Sequence, residues 1–153
     1  MIIIIEGPDG AGKTMLAQQI NKQSRYPLVH RSKPETPEEK TKMMEEYLQA
    51  VKGNRNIIMD RCWYSEMVYG SVMRDQAYIT FPQMYELERQ LSHNGAIIIY
   101  CTGPKNVLWD RCKRRGEKYI TAKEDFDAIC DAYDALFASP HHIPVLRYEY
   151  KDL

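Results

Sequence analysis

Four apolar runs, Ile2 to Ile5, Tyr26 to Val29, Asn56 to Met59 and Ala96 to Cys101, have the length and β-branched content of buried strands, and a fifth, Val145 to Tyr150, closes the chain. The segments between them change period. From Pro37 to Lys52, Met43, Met44, Tyr47, Leu48 and Val51 recur so as to share one helical face. Lys13 to Gln23, Ser65 to Arg74, Phe81 to Ser92, Lys105 to Arg115 and Ala122 to Phe137 also read as helices. Thr80 and Thr121 stand where N-caps belong, and Thr36 precedes Pro37 at a first-turn position. Strands alternating with helices predict an α/β fold, a parallel sheet covered by helices.

At 153 residues, with no repeat or Gly/Ser-rich linker, the chain is expected to form one domain spanning 1–153. Composition is that of a globular protein, 44% hydrophobic and 27% charged. Twenty-one basic side chains balance twenty-one acidic ones, so no broad cationic face for a nucleic-acid polymer is expected, and any anion site must be local. The run at Met1 to Ile5 is too short to span a bilayer and lacks the basic start of a signal peptide. No membrane partner and a cytoplasmic location are therefore expected. Cys62, Cys101, Cys112 and Cys130 are too scattered for a metal or redox motif and read as packed free thiols. His141 and His142 follow Pro140 in an evident turn and read as a solvated loop.

The strongest chemical signal follows the first strand. Gly7-Pro8-Asp9-Gly10-Ala11-Gly12-Lys13-Thr14 fits G-x-x-x-x-G-K-[ST] between a strand and a helix. Glycines allow successive N–H groups to converge on one concavity, to which the next helix adds its positive end. Lys13 would reach the terminal phosphates and the Thr14 hydroxyl would hold Mg2+. A triphosphate donor follows.

A phosphate loop does not separate kinases from nucleotide-driven switches. The third strand runs into Asp60-Arg61-Cys62-Trp63-Tyr64-Ser65, with Tyr69 beyond, placing an acid and a base where open α/β sheets bind ligands. Arg61 could fork onto an acceptor phosphate, and Asp60 could organise magnesium-bound water or accept a proton. Trp63, Tyr64 and Tyr69 could flank a planar base; a strand-end ion pair with the aromatics in the core is the alternative. Arg111, Lys113, Arg114 and Arg115 run into Gly116. They could clamp a triphosphate or be a solvated helix end, and Arg111 with Arg115 shares a face.

Together these residues resemble the thymidylate kinase-like branch of the nucleoside and nucleotide kinases. Glu6 to Thr14 is similar to that branch's phosphate loop, Asp60-Arg61 with Ser65 and Tyr69 to its acceptor motif, and Arg111 to Gly116 to its arginine-bearing lid. The resemblance implies a P-loop fold with five parallel strands, ATP and Mg2+ as cofactors, and transfer to a (deoxy)nucleoside monophosphate. It assigns Asp9, Gly10, Ala11, Gly12, Lys13 and Thr14 to the donor, Thr14 and Asp60 to the metal, and Arg31, Arg61, Tyr64 and Tyr69 to the acceptor. Lys13, Asp60, Arg61, Arg111 and Arg115 carry catalysis, the last two on a short lid around 111–120. A homodimer is open, as members of this branch often pair through helices. Where the branch reads Arg-Glu-Pro after its second strand, this chain reads Ser32-Lys33-Pro34 with Arg31 before it. The chain is also short, as suits a bacteriophage-encoded member.

Two rival readings stay open. A deoxynucleoside kinase would act on a sugar hydroxyl and needs a general base, for which Lys33 is unsuited but Glu35 or Asp60 could serve. A switch or binding module would hydrolyse its nucleotide slowly without an acceptor.

Overall fold

The computed structural model describes residues 1–30, 37–53, 56–74, 76–117 and 119–149. Its elements run β1 (Ile2–Glu6), α1 (Lys13–Ser24), β2 (Leu28–His30), α2 (Pro37–Lys52), β3 (Ile57–Asp60), α3 (Trp63–Met73), α4 (Phe81–Ser92), β4 (Ile97–Thr102), α5 (Lys105–Arg114), α6 (Lys123–Ala138) and β5 (Val145–Glu149). The sheet is five-stranded in the order β2-β3-β1-β4-β5, and every pairing is parallel. The expected α/β architecture is thus the observed one.

β1 is central because it can be buried on both faces. Ile2, Ile3, Ile4 and Ile5 are all buried, and each such side chain withdrawn from water is worth about 1.5–3 kcal/mol. Register then decides where the chemistry falls. Ile5 pairs with Asp60, Asp60 pairs with His30 on its other side, and Glu6 pairs with Tyr100. The carboxyl ends of β1, β3 and β2 therefore present Glu6, Asp60 and His30 along one edge, where ligands bind in open α/β sheets.

Aromatic rings weld the helices to this sheet. Phe137 of α6 lies 5.3 Å from the Tyr64 ring of α3 and 4.9 Å from Tyr100 of β4, and Tyr47 of α2 meets Trp63 edge-on at 5.3 Å. α3 begins at Trp63, two residues earlier than its sequence pattern predicts, and buries both Trp63 and Tyr64. Thr80 caps α4 in a reciprocal box with Gln83, as expected. Thr121 does not cap α6; the N-cap is Ala122, without a side-chain bond.

All four cysteines are buried and free. His141 departs from the solvated loop predicted for it. Its side chain is 2% exposed, with Nδ1 2.7 Å from Glu88 Oε2 and Nε2 2.7 Å from the Leu136 carbonyl oxygen. Among the described residues no helix is long and apolar enough to cross a membrane.

Candidate active site

The phosphate loop owes its path to glycine. At Gly7, φ is 148°, and a Cβ there would stand 2.0 Å from the Cys101 carbonyl oxygen of β4. At Gly10, φ is 84°, and a Cβ would meet the Leu108 carbonyl oxygen at 2.6 Å. The loop is thus pressed onto β4 and α5 with no room for a side chain at Gly7 or Gly10. Gly12 forms the N-cap of α1 in the left-handed region, with φ 80°, no side-chain cap and no acid in the first turn. The amides of that turn are left to an anion.

Lys13 folds back over the loop and donates from Nζ to the Pro8 carbonyl oxygen at 2.7 Å. Burial, then the neighbouring Arg61 charge, brings its ammonium down to about 8, while Asp9 and Glu6 pull the other way. An arriving phosphate would favour the charged form.

Asp60 is 2% exposed at the end of β3. Its Oδ2 accepts from Thr14 Oγ1 at 3.0 Å and stands 3.1 Å from His30 Nδ1, whereas its buried Oδ1 has no hydrogen-bond partner. A hydroxyl that donates to a carboxylate keeps its lone pairs for a cation. Thr14 and Asp60 Oδ1 therefore form a donor set that fits Mg2+, a hard ion that takes one or two protein oxygens and fills its shell with water and phosphate. A self-contained cage is not required, and no group of three or more His, Cys, Asp or Glu suited to a metal occurs among the described residues.

Arg61 follows in a conformation rare for a side-chain-bearing residue, with φ 73°. Its N–H donates to the Ile5 carbonyl oxygen at 3.0 Å, tying the strained turn to β1. The guanidinium pairs with Asp9, donates to Ser65 Oγ at 3.2 Å and lies 5.5 Å from the centre of the Tyr69 ring. Burial would lower its pKa, but Tyr69, Tyr133, Asp9 and Glu6 outweigh that and raise it. The cation is permanent. Tyr69 itself is buried, and burial pushes its phenol well up despite the nearby Arg61 charge.

Glu6 supplies the cap that α3 lacks locally. Cys62, the N-cap residue, makes no side-chain cap bond; instead Glu6 Oε1 accepts from the N–H groups of Cys62 at 2.7 Å and Ser65 at 3.1 Å. Its other oxygen accepts from Ser65 Oγ at 2.7 Å and Tyr133 OH at 3.2 Å. Burial raises its pKa, opposed by those bonds and by Arg61.

Lys13, Thr14, Asp9, Asp60, Arg61 and Tyr69 are thus brought to one place. Arg111 joins them, donating from Nη1 to the Gly10 carbonyl oxygen at 2.7 Å. Arg115 is exposed at the C-cap of α5. Two aromatics expected at a base are spent elsewhere. Trp63 is fully buried against Tyr47, and Tyr64 is fully buried with its hydroxyl donating to Glu88 at 2.7 Å. Arg31, with Lys33 and Glu35, lies outside the described residues. Sequence reading gave no role of their own to Glu6 and His30. A lone acid ending a run of four isoleucines is a usable signal for Glu6; His30 had none, because its partner lies thirty positions away.

Comparison with known proteins shows the family. The model of the family described as Polyphosphate kinase 2 (PPK2) matches residues 1–102, two thirds of the chain, a span that contains the phosphate loop and the Asp60-Arg61 turn. The chain belongs to the polyphosphate kinase 2 family. The family assignment upholds the expected P-loop kinase and is not specific to thymidylate kinases. The SPbeta prophage-derived protein YorR of Bacillus subtilis (strain 168) is 30% identical over 132 residues, covering 86% of this chain and 79% of YorR. The crystal structure of YorR in complex with phosphorylated GDP superposes with a TM-score of 0.78 at 25% identity, covering 99% of this chain and 85% of that one. Deoxyadenosine kinase from M. mycoides with bound dATP shares the fold, with a TM-score of 0.69 at 20% identity over 97% of this chain and 91% of its own. The protein is thus a P-loop kinase of the nucleotide and nucleoside kinase-like phosphotransferases.

Proposed function

We propose that this polyphosphate kinase 2 family member transfers the terminal phosphoryl group of ATP to a (deoxy)nucleoside monophosphate, giving the diphosphate. The observation that carries the reading is the position of Arg61. Its guanidinium, fixed by a strained backbone and by Ser65, meets Asp9 of the phosphate loop, so a phosphate bound by Arg61 would stand across a short gap from one gripped by Lys13. Ser65 and Tyr69, the outer positions of the thymidylate kinase-like acceptor motif, both touch Arg61, which supports that branch's chemistry. YorR, whose structure holds phosphorylated GDP, supports a nucleotide ligand here.

A monophosphate acceptor suits these carboxylates. Its attacking oxygen is already ionised at neutral pH and needs alignment and charge neutralisation rather than a base. Asp60 is engaged with Thr14 and His30 through Oδ2 and keeps its buried Oδ1 for the metal, Asp9 pairs with Arg61, and Glu6 holds the α3 cap. None stands ready as the base that a sugar hydroxyl demands. Lys13 and the first-turn amides of α1 hold the donor's terminal phosphates, and Arg61 holds the receiving phosphate in line. Arg111, through Gly10, and Arg115, on a lid around 111–120, add positive charge over the donor. Mg2+ bound at Thr14 and Asp60 would neutralise phosphate charge as the bond breaks.

The test is a matrix of donors and acceptors. ATP, GTP and a polyphosphate chain are each supplied with Mg2+ and with a panel of ribo- and deoxynucleosides and their monophosphates, and products are separated by ion exchange. The expected result is a nucleoside diphosphate formed one-for-one with ADP from at least one monophosphate. Phosphorylation of nucleosides alone would reassign the chain to sugar-hydroxyl kinases. Donor hydrolysis indifferent to every acceptor would reassign it to switches.

A further inference from the structure

His30 ends β2, beside Asp60 in the register, and none of the chemistry above uses it. Its side chain is 60% exposed, so it is not there to fill the core. Its Nδ1 stands 3.1 Å from Asp60 Oδ2, an oxygen that already accepts from Thr14 Oγ1. Because the acceptor is a carboxylate oxygen, the proton of that bond sits on Nδ1. Two donors converge on one oxygen, and the other, Oδ1, is buried and unpartnered.

An isolated carboxylate rotates about its terminal bond and exchanges its two oxygens. The Thr14 hydroxyl is a rotor and follows either one. His30, its Cα set by the pairing of β2 with β3, meets the oxygen on its own side, Oδ2. We propose that His30 is a positioning residue: by binding Oδ2 it fixes the Asp60 carboxylate with Oδ1 presented towards the Mg2+ site, so that the metal meets an aligned oxygen. The inference rests on the phosphoryl-transfer reading only in requiring a nucleotide-bound metal; it does not depend on which acceptor is used.

Three variants separate donor position from side-chain bulk. In His30→Asn the amide nitrogen can occupy the place of Nδ1; in His30→Gln it lies further out, near the place of Nε2; His30→Ala has no donor. Binding of Mn2+, a paramagnetic substitute for Mg2+, is titrated by electron spin resonance on the full chain with a non-hydrolysable ATP analogue, so no turnover enters the reading. His30→Ala and His30→Gln are expected to weaken Mn2+ by about tenfold, with His30→Asn within about twofold of the wild type. Melting temperatures should stay level across the three.

Unchanged Mn2+ affinity in His30→Ala, or His30→Asn as weak as His30→Ala, overturns the inference. So does a loss of affinity that follows a loss of melting temperature, which would make His30 a support of the fold. A wild-type protein that takes up no Mn2+ with the nucleotide analogue defeats the phosphoryl-transfer reading itself, and this inference with it.

Discussion

At Gly7 the space a side chain would need is filled by main chain. The Cys101 carbonyl oxygen belongs to the next strand of the sheet and cannot swing aside, and the backbone torsion there is one that other residues rarely adopt. Gly7→Ala is expected to lower the unfolding free energy by about 2–4 kcal/mol, read as a shifted midpoint in urea. Gly116→Ala is the informative contrast. Its φ of 71° is also positive, but nothing lies within 4 Å of a Cβ there, so its cost should be the smaller torsional one of about 1 kcal/mol. Equal losses at the two positions would contradict the claim that the phosphate loop is clamped against β4.

Among the elements, α3 depends most on a distant residue. Its first amides bind a carboxylate from the end of β1, so the helix that carries Ser65 and Tyr69 is docked to the strand that leads into the phosphate loop. Glu6→Ala would leave buried N–H groups unpaired and should cost about 2–4 kcal/mol, with Glu6→Gln recovering part through its amide oxygen. Backbone hydrogen exchange at Cys62 and Ser65 is the direct measurement. Equal protection in Glu6→Ala and wild type would remove Glu6 as the cap. This dependence also explains what the sequence could and could not disclose. The strands, the cradle from Gly7 to Thr14 and the Asp60-Arg61 turn were legible because each is encoded within a few consecutive residues. The start of α3 at Trp63 was not, since its cap comes from Glu6. Tyr64 was misplaced for a related reason: an aromatic at the very start of a helix suits a ligand or a core equally well. Its contacts with Glu88 and Phe137, from other helices, show that it is buried. Thr121 had the right residue type beside a helix start, yet the chain enters α6 one residue later, through Ala122.

For the whole molecule, the buried Glu88 joins α4, α3 and the turn into β5. It accepts from Tyr64 OH and from the His142 N–H, and His141 Nδ1 lies against it. Both nitrogens of His141 face acceptors, so the imidazolium is the form that satisfies them. Burial alone would lower its pKa, but the bonds to Glu88 and the Leu136 carbonyl oxygen raise it above 6.5. Glu88 moves the other way, below 4.5, burial again being outweighed by His141 and Tyr64. A raised histidine lends stability that is full below its unfolded pKa and is lost as pH rises through its folded one. A lowered carboxylate lends stability present above its unfolded pKa and lost as pH falls through its folded one. The wild type should therefore lose melting temperature on the alkaline side of pH 6.5, and His141→Gln should be less stable at pH 6 and show a flatter alkaline slope. Parallel slopes would dismiss the imidazolium. The catalytic account turns on a different pair of sites held by this frame, the loop that grips the donor and the Arg61 that faces it. Steady-state kinetics of Arg61→Ala, with donor and acceptor varied separately, examines that arrangement most directly. The account predicts an acceptor KM raised by about 10- to 100-fold with the donor KM little changed. A variant that keeps its acceptor KM and instead loses its grip on ATP would contradict it.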